Sequence, residues 1–465
     1  MKHTQVEENT KISRQEKLCF SSGLIADHYA SQSIIYLAIP IYNILFAVNP
    51  AAVGFILGLC RFWDAISDPI AGSITDNLRT RTGRRKPAIL AGAILTGGLF
   101  PLLWAVDLSW SENTKIMYFT VAMLLYYTAY TVFSISYNSL SVEMTPCYSE
   151  RTKLYAFRNL FAQPITMGIF WLMAFIYSDT FSSPIQGAHV VTTLVGVLII
   201  VCGVLTACFC KERYYKLAQN QQNISFWKSI KELKQHTAIW ILVTLMVIEL
   251  LSSAFVGTLG FYLTTYYMFA GDIQSATEFS AYLGTASVIA GMCASWLVYK
   301  LSDVVSKEKT ILLGLVISLL ASVSKEWTLS QSSPNLLFIS VVLLAFSSSA
   351  FWISIISMIA DFCDWDEYKS GVRREGSVSS IVSWFNKAAM ALGVMLAGAT
   401  LSYLGFEGDI STPSMESLLE MKQLCIWLPI ALYSISIVAI LLYPLTKDTV
   451  LELRAKLESI RGSVV

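Results

Sequence analysis

The sequence has little charge for its length. Of its 465 residues only 14% are charged, 55% are hydrophobic, and the formal net charge is +1. Soluble domains average about 25% charged residues, so this composition predicts an integral membrane protein. The chain also lacks the basic excess that is typical of nucleic-acid-binding proteins. We therefore expect the lipid bilayer as a partner and no nucleic acid.

Several functional signatures are missing too. The chain contains no phosphate-binding glycine–lysine loop, no dinucleotide-binding glycine pattern after a strand, no HExxH and no GxSxG. Its nine cysteines show neither zinc spacing nor a disulfide framework. The polar first 16 residues contain no signal-peptide core. These absences argue against ATP-driven transport, against an enzyme and against a resident cofactor or metal.

Long apolar runs are abundant instead. A spanning helix needs about 20 mostly apolar residues, and twelve segments meet this requirement. They are residues 18–46, 51–75, 87–107, 115–143, 153–178, 188–210, 237–269, 276–300, 309–328, 335–363, 376–404 and 423–445. The predicted fold class is all-α and integral to the membrane, with twelve transmembrane helices in two six-helix halves.

The two halves flank a polar central connection. The predicted parts are an N-terminal bundle with a short tail over 1–210, a central loop over 211–236, a C-terminal bundle over 237–446 and an amphipathic tail over 447–465. Two related halves are typical of transporters whose substrate site lies where the halves meet.

Lysine and arginine are distributed unevenly between the connections. Most of the 33 lie in the N-terminal tail, the even-numbered connections and the C-terminal tail. The odd-numbered connections carry only Lys115, Lys325 and Lys422. The positive-inside rule therefore predicts that both termini are cytoplasmic. Short tails without a targeting signal favour the plasma (inner) membrane of a prokaryote, with the chain as a multi-pass protein.

Seven charged residues lie inside the predicted spans. They are Asp27, Arg61, Asp64, Asp68, Arg158, Glu249 and Lys387. A charge at the centre of a span costs roughly 2.5–3.5 kcal/mol on insertion scales, so it normally faces a partner or a wet cavity. Four acids and three bases nearly balance, so a polar cavity that gathers them is physically reasonable.

The stretch WDAISDP, residues 63–69, places two of these acids on one helical face. Asp64 and Asp68 are one turn apart, and Arg61 precedes them on the same side. Two carboxylates at this spacing can share a small cation, or one can carry a proton beside the other's charge. A purely structural Arg61–Asp64 salt bridge is the alternative. Since one arginine cannot neutralise two acids, a mobile coupling ion, Na⁺ or H⁺, is favoured.

The fourth span carries a polar stripe. Thr131, Ser134 and Asn138 follow one another at positions i, i+3 and i+7. Small hydroxyl residues at such positions often serve close helix packing. The amide of Asn138 is harder to explain in this way, because it needs hydrogen-bond partners.

Two stretches resemble a known family. WDAISDP with the basic residues after it, and ADFCDWDEYKSGVRREGSVSS over 360–380, are similar to signatures of the glycoside–pentoside–hexuronide:cation symporters. This is the melibiose permease-like branch of the major facilitator superfamily. The resemblance implies the major facilitator fold and alternating access driven by a cation gradient. Arg158 and Lys387 also fall where the family has basic residues.

The resemblance implies roles for individual residues. Asp64, Asp68 and Thr131 match cation-coordinating positions, and Ser134 replaces a third carboxylate of the family. Asp27, Arg158 and Trp352 match sugar-binding positions, Asn138 replaces a sugar-stacking tryptophan, and Lys387 lies between the two sites and suits coupling. The missing acid makes the pocket less negative, and the missing tryptophan removes a platform for a neutral sugar. An anionic sugar, a uronate or a sulfonated hexose, is the predicted substrate.

Charged residues at the predicted cytoplasmic ends are candidates for ionic locks that form and break during transport. With Arg61 and Lys387, the predicted coupling and gating set includes Asp76, Arg84, Arg85, Glu143, Arg151, Asp361, Asp364 and Arg373. The alternative to sugar symport is cation-coupled transport of a lysophospholipid or another small solute on the same fold. We expect the chain to work as a monomer.

Overall fold

Twelve helices run through the part of the chain that the structure describes. The computed structural model describes residues 12–78, 80, 83–145, 148–212, 236–301, 305–370, 375–406, 413–445, 447, 449, 450 and 452. In the first half the helices are α1 (Arg14–Pro40, continued by Ile41–Leu45), α2 (Pro50–Asn77), α3 (Arg85–Leu102), α4 (Glu112–Met144), α5 (Tyr148–Thr166, continued by Gly168–Ile176) and α6 (Pro184–Phe209). In the second half they are α7 (Thr237–Tyr262, continued by Leu263–Met268), α8 (Ile273–Leu301), α9 (Lys307–Thr328), α10 (Leu337–Ser370), α11 (Glu375–Tyr403) and α12 (Met415–Leu441).

Ten of these helices are long and apolar enough to cross a membrane on length and composition alone. The other two, α1 and α3, are less apolar for identifiable reasons. α1 carries Asp27, His28 and Gln32 near its middle, and α3 begins with Arg85 and Lys86. The twelve-helix, all-α prediction is confirmed. The predicted tail over 447–465 falls mostly outside the described residues.

Contacts divide the chain into two compact units. One comprises Met1–Gln222, Ile273–Ala281 and Gly398–Ser411, and the other comprises Asn223–Asp272, Tyr282–Ala397 and Thr412–Val465. In the first unit α3 packs against α4 and α6, and α1 against α6. In the second unit α9 packs against α10 and α12, and α7 against α12. The same helix positions therefore pack together in both halves, as expected for an internal repeat.

The ends of α1 and α7 repeat a further detail. Each helix widens into a π-helical turn, over Ile41–Leu45 and Leu263–Met268. Each turn is followed by a Phe-Ala pair whose alanine, Ala47 or Ala270, has a φ near +50° (53° and 51°). A non-glycine residue rarely adopts this left-handed conformation, because its Cβ crowds the following carbonyl oxygen. Its occurrence at equivalent positions supports the repeat independently of the charged motifs.

Glycines bring α3 and α6 into close contact. A Cβ on Gly97 would lie 2.5 Å from the carbonyl oxygen of Gly196, and a Cβ on Gly196 would clash in the same way with the carbonyl oxygen of Gly97. Small residues at helix crossings are how membrane helices approach closely without a hydrophobic driving force between them. This crossing fixes the position of α3, whose first turn carries two predicted gating arginines.

We expect Gly97→Ala to destabilise the protein, since neither backbone can move away without separating the two helices. Overpacking of this kind costs about 1–3 kcal/mol. The neighbouring Gly98 is a matched control, because a Cβ there meets nothing within 4 Å. Thermal unfolding of the purified protein should show a lower Tm for Gly97→Ala and an unchanged or higher Tm for Gly98→Ala. Equal effects of the two variants would contradict the close crossing.

Candidate functional site

The predicted cation site is centred on a buried carboxylate of α2. Asp64 is only 2% exposed, and the Thr131 hydroxyl donates a hydrogen bond of 2.7 Å to its Oδ1 atom. Ser67 extends this group: its hydroxyl lies 3.1 Å from that of Thr131. Asp68, one turn further along the same face of α2, is half-buried. The donors are all oxygen atoms, which hard cations prefer.

Local sequence explains why these groups share one face. Asn49 caps α2 by accepting a hydrogen bond of 2.8 Å from the N–H of Ala51, and Pro50 occupies the first helical position. The helix then places Asp64 and Ser67 three residues apart on one side. Pro69 lies inside the helix and has no N–H, so the carbonyl of Ala65 lacks its usual helical donor. Carboxylate, hydroxyl and carbonyl oxygens therefore occur within one turn of α2.

A second polar group surrounds Asp27 on α1. The Tyr130 hydroxyl donates a hydrogen bond of 3.0 Å to its carboxylate, and the Ser134 side chain interacts with the same carboxylate. The Asn138 amide donates to the carbonyl and the hydroxyl of Ser134, at 2.9 and 3.3 Å. The structure thus places Ser134 beside the predicted sugar-binding acid, whereas Thr131 contacts Asp64. His28, half-buried, follows Asp27 on α1.

Two arginines of this unit are held by aromatic rings. The guanidinium carbon of Arg158 lies 4.6 Å from the centre of the Tyr155 ring and 5.9 Å from that of Phe20. That of Arg61 lies 5.3 Å from the centre of the Tyr127 ring. Cation–π contacts hold a guanidinium in place without using its N–H groups, and Arg158 also forms a hydrogen bond with the Tyr137 hydroxyl.

Each arginine has one buried nitrogen atom that finds no hydrogen-bond partner among the described residues. They are Nε of Arg158 and one terminal nitrogen, Nη2, of Arg61. Neither guanidinium forms an ion pair with a carboxylate of the described residues, so the structure does not contain the Arg61–Asp64 salt bridge of the structural alternative. A buried donor without a partner costs about 1–3 kcal/mol, and more when the group is charged. Each arginine therefore offers strong N–H donors to an anionic group.

The remaining predicted site residues lie in the second unit. Trp352 on α10 packs edge to face on Phe351, with ring centres 5.6 Å apart, and lies against the apolar core of this unit. Lys387, on α11, is half-buried. Glu249 on α7 is buried and interacts with the hydroxyl of Tyr433 on α12. The Tyr433 hydroxyl also interacts with Ser252.

Glu249 is therefore expected to act as a hydrogen-bonding group within the bundle. Glu249→Gln keeps the shape and the hydrogen bond to Tyr433, so its Tm should stay near that of the wild type. Glu249→Leu leaves the tyrosine short of a partner, at a cost of about 1–3 kcal/mol. Glu420→Leu is a control for removing a carboxylate, because Glu420 is exposed on α12. If Glu249→Gln lowered the Tm as much as Glu249→Leu, the ionised carboxylate itself would be required.

The predicted gating residues form charge pairs inside each unit. Nη2 of Arg84 lies 2.6 Å, and Nε of Arg85 lies 3.0 Å, from one carboxylate oxygen of Glu143. Lys307 forms the corresponding pair with Asp361 at 2.5 Å in the second unit. Arg373 lies outside the described residues, and so do the side chains of Asp76 and Arg151. Asp364 is half-buried on α10.

Sequence reasoning missed Glu212, which follows α6. Its carboxylate accepts hydrogen bonds from the backbone N–H groups of Arg84, Arg85 and Lys86, at 2.8, 2.9 and 2.7 Å. Burial raises the pKa of Glu212, and the bonds from Lys86 and Arg84 oppose this rise. The first N–H groups of a helix have no acceptor within the helix, and an acid at the N-terminus accepts hydrogen bonds from them. Glu212 and Arg85 are 127 residues apart in the chain, so only the three-dimensional structure reveals this role.

The structure is similar to solved membrane transporters. A D-xylose–proton symporter matches with a TM-score of 0.67 at 12% identity, covering 92% of this chain and 97% of that one. A nucleoside transporter variant also matches with a TM-score of 0.67, at 11% identity, covering 91% of this chain and 99% of that one. At these identities the similarity shows the fold alone, which is that of the major facilitator superfamily.

Relatives with similar sequences are sugar and glycoside transporters. A glucuronide carrier protein homolog of Escherichia coli (strain K12) is 25% identical, covering 96% of each chain. An isoprimeverose transporter of Lactiplantibacillus pentosus is 26% identical, covering 87% of this chain and 83% of that protein. An inner membrane symporter of E. coli K12 is 25% identical, covering 85% and 84%. The family model described as MFS/sugar transport protein matches residues 20–447, and this multi-pass membrane protein therefore belongs to that family.

Proposed function

We propose that the protein transports an anionic sugar derivative, a uronate or a sulfonated hexose, together with a cation. The observation that carries this proposal is the pair of arginines with unsatisfied buried nitrogens, Arg61 and Arg158. The acids that interact with them, Asp64 with Arg61 and Asp27 with Arg158, already accept hydrogen bonds from Thr131 and Tyr130. A carboxylate or sulfonate would satisfy the free guanidinium N–H groups with short, charge-assisted hydrogen bonds.

The sugar ring requires a different set of groups. Hydroxyls of a hexose both donate and accept hydrogen bonds, which suits the Asp27 carboxylate, the Ser134 hydroxyl and the Asn138 amide. Asn138 is exposed and lies on the same face of α4 as Ser134. For Trp352 and Lys387, which lie in the second unit, we propose the roles that the family resemblance implies. Trp352 would offer an aromatic face to a sugar ring, and Lys387 would take part in coupling.

The driving cation would be held at Asp64 together with Asp68, Thr131 and Ser67, either as Na⁺ or as a proton on a carboxylate. Arg61 connects this group with the substrate group. It lies one turn before Asp64 on α2, and it stacks on Tyr127, one turn before Thr131 on α4. Charge arriving at Asp64 therefore changes the field on Arg61, so the two ligands should influence each other's affinity reciprocally.

Related proteins support an acid sugar without deciding it. The E. coli relative is named after a glucuronide carrier, whose substrates carry a carboxylate. The Lactiplantibacillus relative is named for isoprimeverose, a neutral disaccharide. Overall identity is nearly the same in both cases, so the local chemistry of the site has to discriminate. The unsatisfied buried nitrogens of the two arginines favour the acid.

Uptake into proteoliposomes tests the proposal. A neutral galactoside, glucuronate and a sulfonated hexose are each offered under an inward Na⁺ gradient and, separately, an inward proton gradient. We expect accumulation of one of the acid sugars under one of the gradients. Accumulation of the galactoside alone would contradict the anionic substrate but keep sugar symport. If none accumulates and a lysophospholipid does, the substrate class itself is wrong.

A further inference from the structure

A cavity in the second unit has no part in the proposed transport site. It lies where α9 begins, beside α10 and the segment that follows α12, and has a volume of about 130 Å³. The polar groups that line it include Ser306, Lys307, Glu308, Tyr443 and Lys447. The first turn of α9 therefore presents its N–H groups at this cavity.

The equivalent place in the first unit shows what such a helix end binds. There the third helix of its half, α3, receives the Glu212 carboxylate on three consecutive backbone N–H groups. The charge pairs beside the two helix ends also correspond: Arg85 with Glu143, and Lys307 with Asp361. An anion at the beginning of the third helix is thus part of one half of the repeat.

The second half lacks an acid at the corresponding position. Glu212 lies three residues after the last residue of α6, whereas Pro444 lies three residues after the last residue of α12 and Leu445 follows. Ser306, the residue before α9, makes no side-chain hydrogen bond to the first turn. Apolar residues stand where the first half has the acid, and one of them, Leu445, lines the cavity.

Two hydroxyl groups at the cavity have no hydrogen-bond partner among the residues that the structure describes. Tyr443 is 92% buried, with 8% of its surface exposed, and its hydroxyl and that of Ser306 are both buried and unsatisfied within this part of the chain. The Tyr443 hydroxyl lies within electrostatic range of Asp361 and Glu308, which line the same cavity. Burial raises the pKa of Tyr443, so this hydroxyl keeps its proton and is a hydrogen-bond donor.

We propose that this cavity binds a phosphate group. Phosphate offers several acceptor oxygens, which match the first-turn N–H groups of α9, the hydroxyls of Tyr443 and Ser306, and the ammonium group of Lys447. Asp361 is neutralised by Lys307, whereas Glu308 opposes an anion. The apolar side chains of Met358 and Leu445 in the same wall suit the glycerol and acyl portions of a phospholipid, and a free phosphate fits the polar part alone.

Thermal unfolding of delipidated protein in detergent tests this site without any transport assay. Inorganic phosphate is titrated against sodium chloride at equal ionic strength, and phosphatidylglycerol is compared with phosphate-free diacylglycerol. We expect phosphate to raise the Tm of the wild type beyond the effect of chloride. A rise with phosphatidylglycerol that exceeds the rise with both phosphate and diacylglycerol identifies a lipid headgroup as the source, and a rise with phosphate alone identifies a free phosphate.

Variants locate the effect. Tyr443→Phe and Lys447→Gln should each raise the half-saturating phosphate concentration on the order of tenfold, since each removes one hydrogen bond to a charged ligand. Glu308→Gln should lower it. Lys309→Gln is the matched control, because Lys309 is exposed on the same turn and does not line the cavity. The proposal is overturned if neither phosphate nor phosphatidylglycerol raises the Tm, or if Lys309→Gln weakens the effect as much as Lys447→Gln.

Discussion

Asp64→Asn is expected to abolish cation-driven accumulation of substrate while the protein still folds. The asparagine side chain can still accept the hydrogen bond from Thr131 that Asp64 accepts at 2.7 Å, so the contact between α2 and α4 survives. The substitution does remove the negative charge that would bind the cation. Losing one charge-assisted ligand interaction is worth about 1.5–3 kcal/mol, which corresponds to an affinity loss on the order of 100-fold for the cation.

The measurement compares two transport modes in the same proteoliposomes. Accumulation against a gradient requires the coupling ion, whereas exchange of labelled for unlabelled substrate does not require net ion movement. Asp64→Asn should lose the first and keep the second. Asp107→Asn is the control, because Asp107 is an exposed loop carboxylate whose hydrogen bonds go to Ser109. If Asp64→Asn accumulates substrate at the wild-type level, the Asp64 carboxylate does not bind the cation.

Arg158→Gln is expected to discriminate between acid and neutral sugars. The guanidinium contacts the rings of Tyr155 and Phe20, and it forms no ion pair within 4.0 Å with a carboxylate of the described residues. Its buried Nε has no hydrogen-bond partner there, so it can bind the acid group of a ligand. Glutamine retains a donor but not the charge. The affinity for a uronate should fall on the order of 100-fold, as for a lost hydrogen bond between charged groups. The affinity for the corresponding neutral glycoside should change much less.

Binding of both ligands to the purified variant, followed by tryptophan fluorescence or calorimetry, provides this comparison. Lys153→Gln is the matched control. Lys153 is on the same helix, its side chain is 62% exposed, and it pairs with Glu150, so its loss should leave both affinities unchanged. If Arg158→Gln weakens the uronate and the neutral glycoside equally, the arginine binds sugar hydroxyls and the anionic-substrate proposal is wrong.

The sequence was sufficient for the architecture because hydropathy and turn residues report directly on membrane spans. Twelve helices were expected and twelve are found among the described residues. Asp64 and Thr131, which the family resemblance assigns to the cation site, contact each other, and their role in binding a cation stays a prediction. The position of Ser67 beside Asp64 could also be predicted from the sequence. Ser67 lies three residues after Asp64 in WDAISDP, and a hydroxyl at that spacing shares the acid's helical face.

Side-chain neighbours across helices were harder to predict. Ser134 follows Thr131 by three residues, yet it interacts with Asp27 while Thr131 contacts Asp64, because a small rotation along α4 turns the two towards different helices. Arg61 was weighed as a partner of Asp64, but it stacks on Tyr127. Rotamer choice and helix rotation decide both outcomes, and neither leaves a periodic signal in the sequence.

Whether substrate and cation move together is tested by reversing the driving force, so that the sugar gradient drives the ion. Proteoliposomes containing the protein receive an inward gradient of the acid sugar that accumulates, with no cation gradient. Symport predicts that the sugar drives uphill entry of labelled Na⁺ or alkalinises the outside by proton uptake, and that Asp64→Asn abolishes this ion movement. Entry of the sugar without any accompanying ion movement in the wild type would contradict the account.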